Sequence, residues 1–185
     1  MNQCLLLKTL LSTACLSLAA CSVTPPPRWE QGGARLMVAR AYWDRGDYDR
    51  IEIREDGSVY EDDDLLYTID RVGRVVNDEY EPYALLFEEG LVRGTGDQTL
   101  GRVGLQNASG PGMDYAWLSI APDGRVNFYD LDGEQKYGGK WYGCGGPMTR
   151  TCTLVTHLYL LRSYRDRRHS PGVSPGFGVG IGIGL

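Results

Sequence analysis

Histidine is nearly absent from this 185-residue chain, which carries only His157 and His169. Nucleophilic catalysis needs a base beside the nucleophile, and there is no Gly-x-Ser-x-Gly elbow either. The 24 acidic residues leave a carboxylate-pair hydrolase formally open, yet no spacing among them points to one, so no catalytic residue is assigned and a non-enzymatic protein is expected. Lysine is scarce as well, arginine supplying nearly all of the positive charge. With a formal net charge of −5 there is no electrostatic footprint for a nucleic acid. No apolar run reaches the roughly 20 residues of a spanning helix, and from residue 35 onward no amphipathic helix of three turns stands out.

What the chain does have is short alternating segments and tight turns. The stretch Asp49-Arg-Ile-Glu-Ile-Arg-Glu55 alternates polar and apolar, turns at Asp56-Gly57 and returns through Ser58-Val-Tyr60. Tyr115 to Ala121 does the same, turning at Asp123-Gly124 into Arg125-Val-Asn-Phe-Tyr129. Asp-Gly between alternating runs favours a type I′ hairpin turn. The two hairpins align at Ile53, Asp56, Gly57 and Val59 against Ile120, Asp123, Gly124 and Val126, a match that fades on both sides and reads as shared turn chemistry. Further strands are expected at 35–42, 65–69, 71–76, 83–88, 99–105, 136–142 and 153–162. In the last of these β-branched alternation favours a strand, although Leu154, Leu158 and Leu161 also fit helical spacing. The predicted fold class is all-β: a small antiparallel β-barrel or β-sandwich of about 8–10 short strands.

Clusters that could carry chemistry have simpler readings beside them. Asp130-Leu-Asp132-Gly133-Glu134 gathers carboxylates that a hard cation favours, but in an EF-hand register Gln135 replaces the glycine and Trp141 the glutamate, so a polar hairpin loop is expected. Glu61-Asp62-Asp63-Asp64 is a run of like charges that prefers solvent. His157 reads as a packed or rim residue, His169 as part of a basic tail, and Arg45-Gly46-Asp47 as a turn. Arg162, Arg165, Arg167 and Arg168 form the one basic excess, suited to lipid phosphates or an acidic partner, or simply a solvated strand end. Tyrosine (12) and tryptophan (4) far outnumber phenylalanine (3), a balance favoured at binding surfaces as well as in cores. Gly139-Lys140-Trp141-Tyr142-Gly143 resembles the Gly-x-Trp opening of lipocalins, displaced here from the amino terminus, where that family carries it.

The amino-terminal segment opens with Leu5-Leu6-Leu7, carries Lys8, and runs from Leu10 to Ala20 with only Ser12, Thr13 and Ser17 as polar interruptions. It closes on Leu18-Ala19-Ala20-Cys21, which resembles the lipobox of bacterial lipoproteins. An apolar run this short reads as a secretory signal; an ordinary signal cut near Ala20, with Cys21 incidental, is the alternative. The lipoprotein resemblance implies cleavage before Cys21 and acylation of its thiol and new amino group, each buried methylene contributing about 0.8 kcal/mol to membrane retention. Ser22 stands where that family's inner-membrane retention signal would place aspartate, which implies the outer membrane, facing periplasm or cell surface. Thr24-Pro25-Pro26-Pro27 then reads as an extended spacer.

The resulting division is 1–20 signal peptide, 21–34 lipidated cysteine and Pro-rich tether, 35–165 all-β domain, and 166–185 a basic then Gly-rich tail. Of five cysteines, Cys4 and Cys15 leave with the signal and Cys21 is lipidated. Cys144 and Cys152 remain, and an oxidising compartment pairs them as a disulfide contributing roughly 2.5 kcal/mol by loop closure. A metal site joining these thiols to His157 and His169 is the rival, without a zinc spacing to support it; no metal and no cofactor are assigned. Residues 176–185 alternate glycine with apolar side chains, a pattern that orders only against a partner sheet or bilayer surface. The expected role is a lipid-anchored, non-enzymatic binding or structural domain whose partners are the membrane and an envelope protein or cell-wall component. Inhibition of a cell-wall hydrolase, in the manner of lysozyme inhibitors, and lipocalin-like carriage of an apolar ligand are the alternatives.

Overall fold

The computed structural model describes residues 23–46, 48, 50–130 and 132–169. The signal segment, Cys21 and the Gly-rich tail from residue 170 lie outside the described residues. Twelve antiparallel strands follow one another around a closed up-and-down barrel: β1 Ala41–Asp44, β2 Ile51–Ile53, β3 Ser58–Glu61, β4 Asp64–Ile69, β5 Arg74–Asn77, β6 Pro82–Leu86, β7 Leu91–Gly94, β8 Thr99–Val103, β9 Asn107–Ser109, β10 Leu118–Ile120, β11 Arg125–Tyr129 and β12 Gln135–Tyr142. The expected barrel is present, with more strands than expected because β7 and β9 carry too little apolar alternation to stand out. Segment 35–40, expected as strand, is irregular and ends in β1.

The ring closes where β12 pairs with β1, in the register Tyr42↔Tyr142, Trp43↔Trp141 and Asp44↔Lys140. Successive side chains on a strand face opposite sides, so this seam carries aromatic pairs on both. Trp43 and Trp141 stack at 5.8 Å on the buried side. Tyr42 and Tyr142 stack at 4.7 Å on the outside. Around the wall the inward positions are apolar, among them Ile51, Val59, Val75, Val92 and Val126, while Glu52, Tyr60, Arg102, Ser119 and Lys140 face out. Arg50 lies over Tyr42 and Arg54 over Tyr60, each at 3.8 Å.

Residues 153–162, expected as a strand, form instead the middle of a helix, α1, Thr149–His169. The reason is topological. A closed barrel has no free edge, so a strand in its lumen would leave its N–H and C=O groups unpaired, whereas a helix pairs them within itself. Cys152, Leu154, Val155, Thr156, His157 and Leu158 are fully buried around the helix, the signature of a helix enclosed on all sides. The β-branched content that favoured a strand is accommodated locally. Thr153 donates its hydroxyl to Thr149 O at 2.9 Å and Thr156 donates to Cys152 O at 2.8 Å, the back-bonding open to threonine one turn on. The helix also carries the arginine excess past the expected domain limit at residue 165.

The helix enters at the end of the barrel that carries the β2–β3, β4–β5, β6–β7 and β10–β11 turns. Neither Asp-Gly turn is type I′, because Asp56 and Asp123 keep negative φ and only Gly57 (φ +89°) and Gly124 (φ +88°) are left-handed. Gly57 N–H donates to Arg54 O and Arg54 N–H to Ser58 O, a type I turn closed by a glycine bulge. The same pair of bonds recurs at Gly73, Gly90 and Gly124 at this end, and at Gly133 in the β11–β12 turn of the other end. A Cβ on Gly57 would stand 2.0 Å from Ile69 O, and one on Gly124 2.2 Å from Trp141 O.

The same end is fastened by the chain on either side. Ala34 N–H donates to Leu86 O and Leu36 N–H to Arg71 O, so the segment before β1 crosses the barrel mouth there. The expected spacer runs back along the wall: Pro26 is buried and Thr24 O accepts from Gly96 N–H. The disulfide joins Cys144, after β12, to Cys152 in the first turn of α1, with 6.2 Å between Cα atoms.

Leu158→Ala should destabilise the fold by about 3 kcal/mol through a cavity at the helix–wall contact, and Cys144→Ser by about 2.5 kcal/mol through loss of the eight-residue clip. Urea denaturation under non-reducing conditions reads both.

Candidate functional site

Three indoles inside the barrel find hydrogen-bond acceptors, two of them on the helix, which they set in register, and one on β12. Trp117 Nε1–H donates to His157 Nδ1 at 3.0 Å, Trp141 Nε1–H to Thr156 Oγ1 at 2.8 Å, and Trp43 Nε1–H to Gly138 O at 2.7 Å. His157 Nε2 is 2.8 Å from Leu100 O, and a carbonyl can only accept, so the imidazole is the neutral Nε2–H tautomer with both nitrogens engaged. Burial pushes its pKa down to about 4, the Leu100 carbonyl opposing the shift. This is a packed histidine, not a base facing a cavity. Cys144 and Cys152 bond to each other, which leaves their sulfurs no part in a metal site with His157.

The turn of the carboxylate cluster is the hairpin loop expected from sequence. Asp130 Oδ1 accepts from Asp132 N–H and Glu134 N–H, at 3.0 and 2.9 Å. Lys136 Nζ pairs with Glu134 and lies 3.4 Å from Asp130 Oδ2. The Asp130 pKa is held below the usual carboxylate value, chiefly by the Glu134 amide. Its oxygens are thus committed within the turn and to lysine.

The end of the barrel opposite the helix entry is where α1 leaves the lumen, and it is open. Two cavities flank the helix there, of about 550 and 480 Å³, and Asp130 lines both. The larger has Trp43, Tyr48, Phe128 and Tyr137 on the wall and Tyr159 and Ser163 on the helix. The smaller is bounded by Leu100, Met113, Tyr115 and Trp117 against Leu161 and Tyr164. Both volumes fall in the range of small-ligand sites.

An ion pair that the sequence did not disclose organises the larger cavity. Arg45 Nη1 bonds Glu61 Oε1 at 2.7 Å, and Tyr159 Oη donates to the same oxygen at 2.7 Å. The guanidinium lies 4.5 Å from the Tyr159 ring centroid and 5.4 Å from those of Trp43 and Tyr48. Burial, first, and the Glu61 contact raise the Tyr159 pKa, which keeps the phenol protonated as a donor. The sequence places Arg45 in a turn and Glu61 in an exposed acidic run, and the structure brings both to the cavity's edge. Both continue an inward parity, Arg45 two residues after buried Trp43 and Glu61 two after buried Val59, and period two was the signal that could have found them. Asp62 and Asp63 remain exposed, as expected. Asp47 of the Arg-Gly-Asp tripeptide lies outside the described residues; Gly46 N–H bonds Asp44 Oδ1 in a turn.

Below pH 6.5 the unfolded chain protonates His157 while the folded chain does not until about pH 4, so the unfolded state binds more protons across that window. Stability should therefore be full above pH 6.5 and fall by about 3 kcal/mol on going down to pH 4. Urea midpoints measured at half-unit pH steps test this, and a flat profile between pH 6.5 and 4 would contradict the assignment. Compared with protein-family models, curated proteins and solved structures, the chain matches none.

Proposed function

We infer that this chain is a lipid-anchored lipoprotein of the outer membrane whose disulfide-clipped barrel binds an envelope component without catalysing a reaction. The anchor rests on Leu18-Ala19-Ala20-Cys21, a signal-length apolar run ending in small residues before a cysteine. Support for a binding role comes from one observation: α1 fills the lumen, and two cavities of about 550 and 480 Å³ open at the mouth around the emerging helix. A carrier in the lipocalin manner would hold its ligand where α1 already packs, which favours recognition at the mouth over enclosure. Among the described residues the acid lining the larger cavity, Asp130, lies 3.4 Å from Lys136, and His157, neutral and bonded on both nitrogens, is buried away from it.

Cys21→Ser should move the protein from the membrane to the soluble fraction and abolish incorporation of labelled palmitate. Equal membrane retention of parent and variant would remove the anchor from this reading. Capture of envelope material by the natively anchored protein, compared with a variant carrying Tyr48→Ala and Tyr137→Ala, tests the mouth as the recognition surface.

A further inference from the structure

The larger cavity at the mouth has an unusual charge balance. Among the described residues its two cations are already matched: Arg45 by Glu61 at 2.7 Å, and Lys136 by Glu134 and by Asp130 at 3.4 Å. A phosphate or carboxylate ligand would meet an acid already beside each cation, which opposes a second negative charge there. A cationic ligand fares no better, because Arg45 itself occupies the space between the Trp43, Tyr48 and Tyr159 rings. A purely apolar ligand would bury charged and hydroxyl groups at the rim without partners, at a cost.

What remains complementary is a neutral molecule with both apolar faces and many hydroxyls. Tyr48 and Tyr137 stand at the rim with 72% and 65% of their surface exposed, each presenting a flat ring and a phenolic hydroxyl. Phe128 and the edge of Trp43 line the cavity with them. The same cavity is lined by hydrogen-bonding groups that neighbours hold in place: the Arg45 guanidinium by Glu61, the Asp130 carboxylate and Lys136 ammonium by each other, and the Ser163 hydroxyl by the Tyr159 carbonyl. A sugar ring matches this pattern, its C–H face lying on an aromatic ring and its vicinal hydroxyls meeting fixed donors and acceptors. The walls are pre-formed, since β1 and β12 are joined in the seam and Tyr159 is tied to Glu61, so little ordering cost falls on binding.

The geometry points to the cavity bounded by Tyr48, Tyr137, Arg45, Asp130 and Lys136 as a binding site for an uncharged saccharide chain. This names a ligand class for the recognition surface inferred above and rests on that reading. Tyr48 and Tyr137 supply the stacking faces; Asp130 and Lys136 supply hydroxyl contacts.

The test uses the full-length protein in detergent micelles, titrated with linear oligosaccharides of N-acetylglucosamine and, separately, of glucose, and followed by tryptophan fluorescence and calorimetry. Saturable binding to at least one series is expected, with a Kd on the order of 0.1–1 mM. Tyr48→Ala and Tyr137→Ala should each weaken it about tenfold, while Tyr142→Ala on the outer wall leaves it unchanged. Unaltered thermal unfolding of the variants shows that the fold is retained. Absence of saturable binding to both series overturns the proposal, as does binding that the double tyrosine variant keeps at parental strength. Membrane fractionation of the same parent protein separates the two readings. Membrane retention without saccharide binding sinks this site and leaves the anchored domain standing; saccharide binding by a protein that never partitions to membranes sinks the envelope reading instead.

Discussion

A polypeptide segment enclosed by a sealed sheet can meet no strand edge and little water, so it must satisfy its own backbone. The constraint accounts for why the carboxyl-terminal segment is helical despite its threonines and valine, and much of the interior follows from it. A helix in the lumen offers side chains in every direction, and the wall answers with a mixture of sizes: Ala84 and Ala108 where space is short, Trp43, Trp117 and Trp141 where it is wide. Several polar side chains of the helix are bonded to the chain around it, while Arg150 Nε on the helix and Tyr67 Oη on the wall are buried without a hydrogen-bond partner among the described residues. Thr151 reaches Met37 O, Thr153 reaches Leu105 O, and Tyr164 reaches Tyr129 O. Such contacts fix the depth and rotation of the helix, which apolar packing alone leaves loosely defined.

The two ends of the barrel differ because the turns differ. At the entry end, glycine bulges bring successive loops close to the neighbouring strands, and their carbonyls accept across: Gly57 O from Ile69, Gly73 O from Leu86, Gly90 O from Val103 and Gly124 O from Trp141. No side chain fits at that spacing. At the exit end the loops range from two residues between β3 and β4 to the longer β1–β2 and β9–β10 connections, and several carry charge. One end is therefore a sewn base, and at the other the Arg45–Glu61 pair stands beside the Trp43–Tyr159 ring contact. Arg45, its side chain only 15% exposed, owes its position to Glu61 on one side and three rings on the others.

Much of the wall was legible in the sequence, and the exceptions have physical causes. Alternation with a following Asp-Gly located β2, β3, β10 and β11, since the turn glycine and the inward parity are both local properties. The turn type was misjudged because Asp-Gly also serves a type I turn with a bulge, and the distinction lies in φ of the aspartate. Leu91–Gly94 and Asn107–Ser109 are short and hold one buried apolar residue each, Val92 and Ala108, so only their neighbours make them strands. The helix was ambiguous because burial on every face erases the stripe by which helices are recognised. The rim was hidden for a related reason: Arg45 and Glu61 are charged residues at inward positions, and charge reads as solvent exposure until a partner is known.

The seam between β1 and β12 has a consequence for how the molecule is made. Tyr42 meets Tyr142 across one hundred positions of chain, and the loop-closure cost of such a pairing falls due before the contact returns anything. Hairpins between adjacent strands form early and cheaply, so a curved, incomplete sheet precedes the sealed one. The last element to be synthesised among those described is the one that belongs inside. Sealing thus awaits the arrival of the lumen's own filling, and an unfinished chain is an open sheet with two unpaired edges, the species most in need of protection from its neighbours.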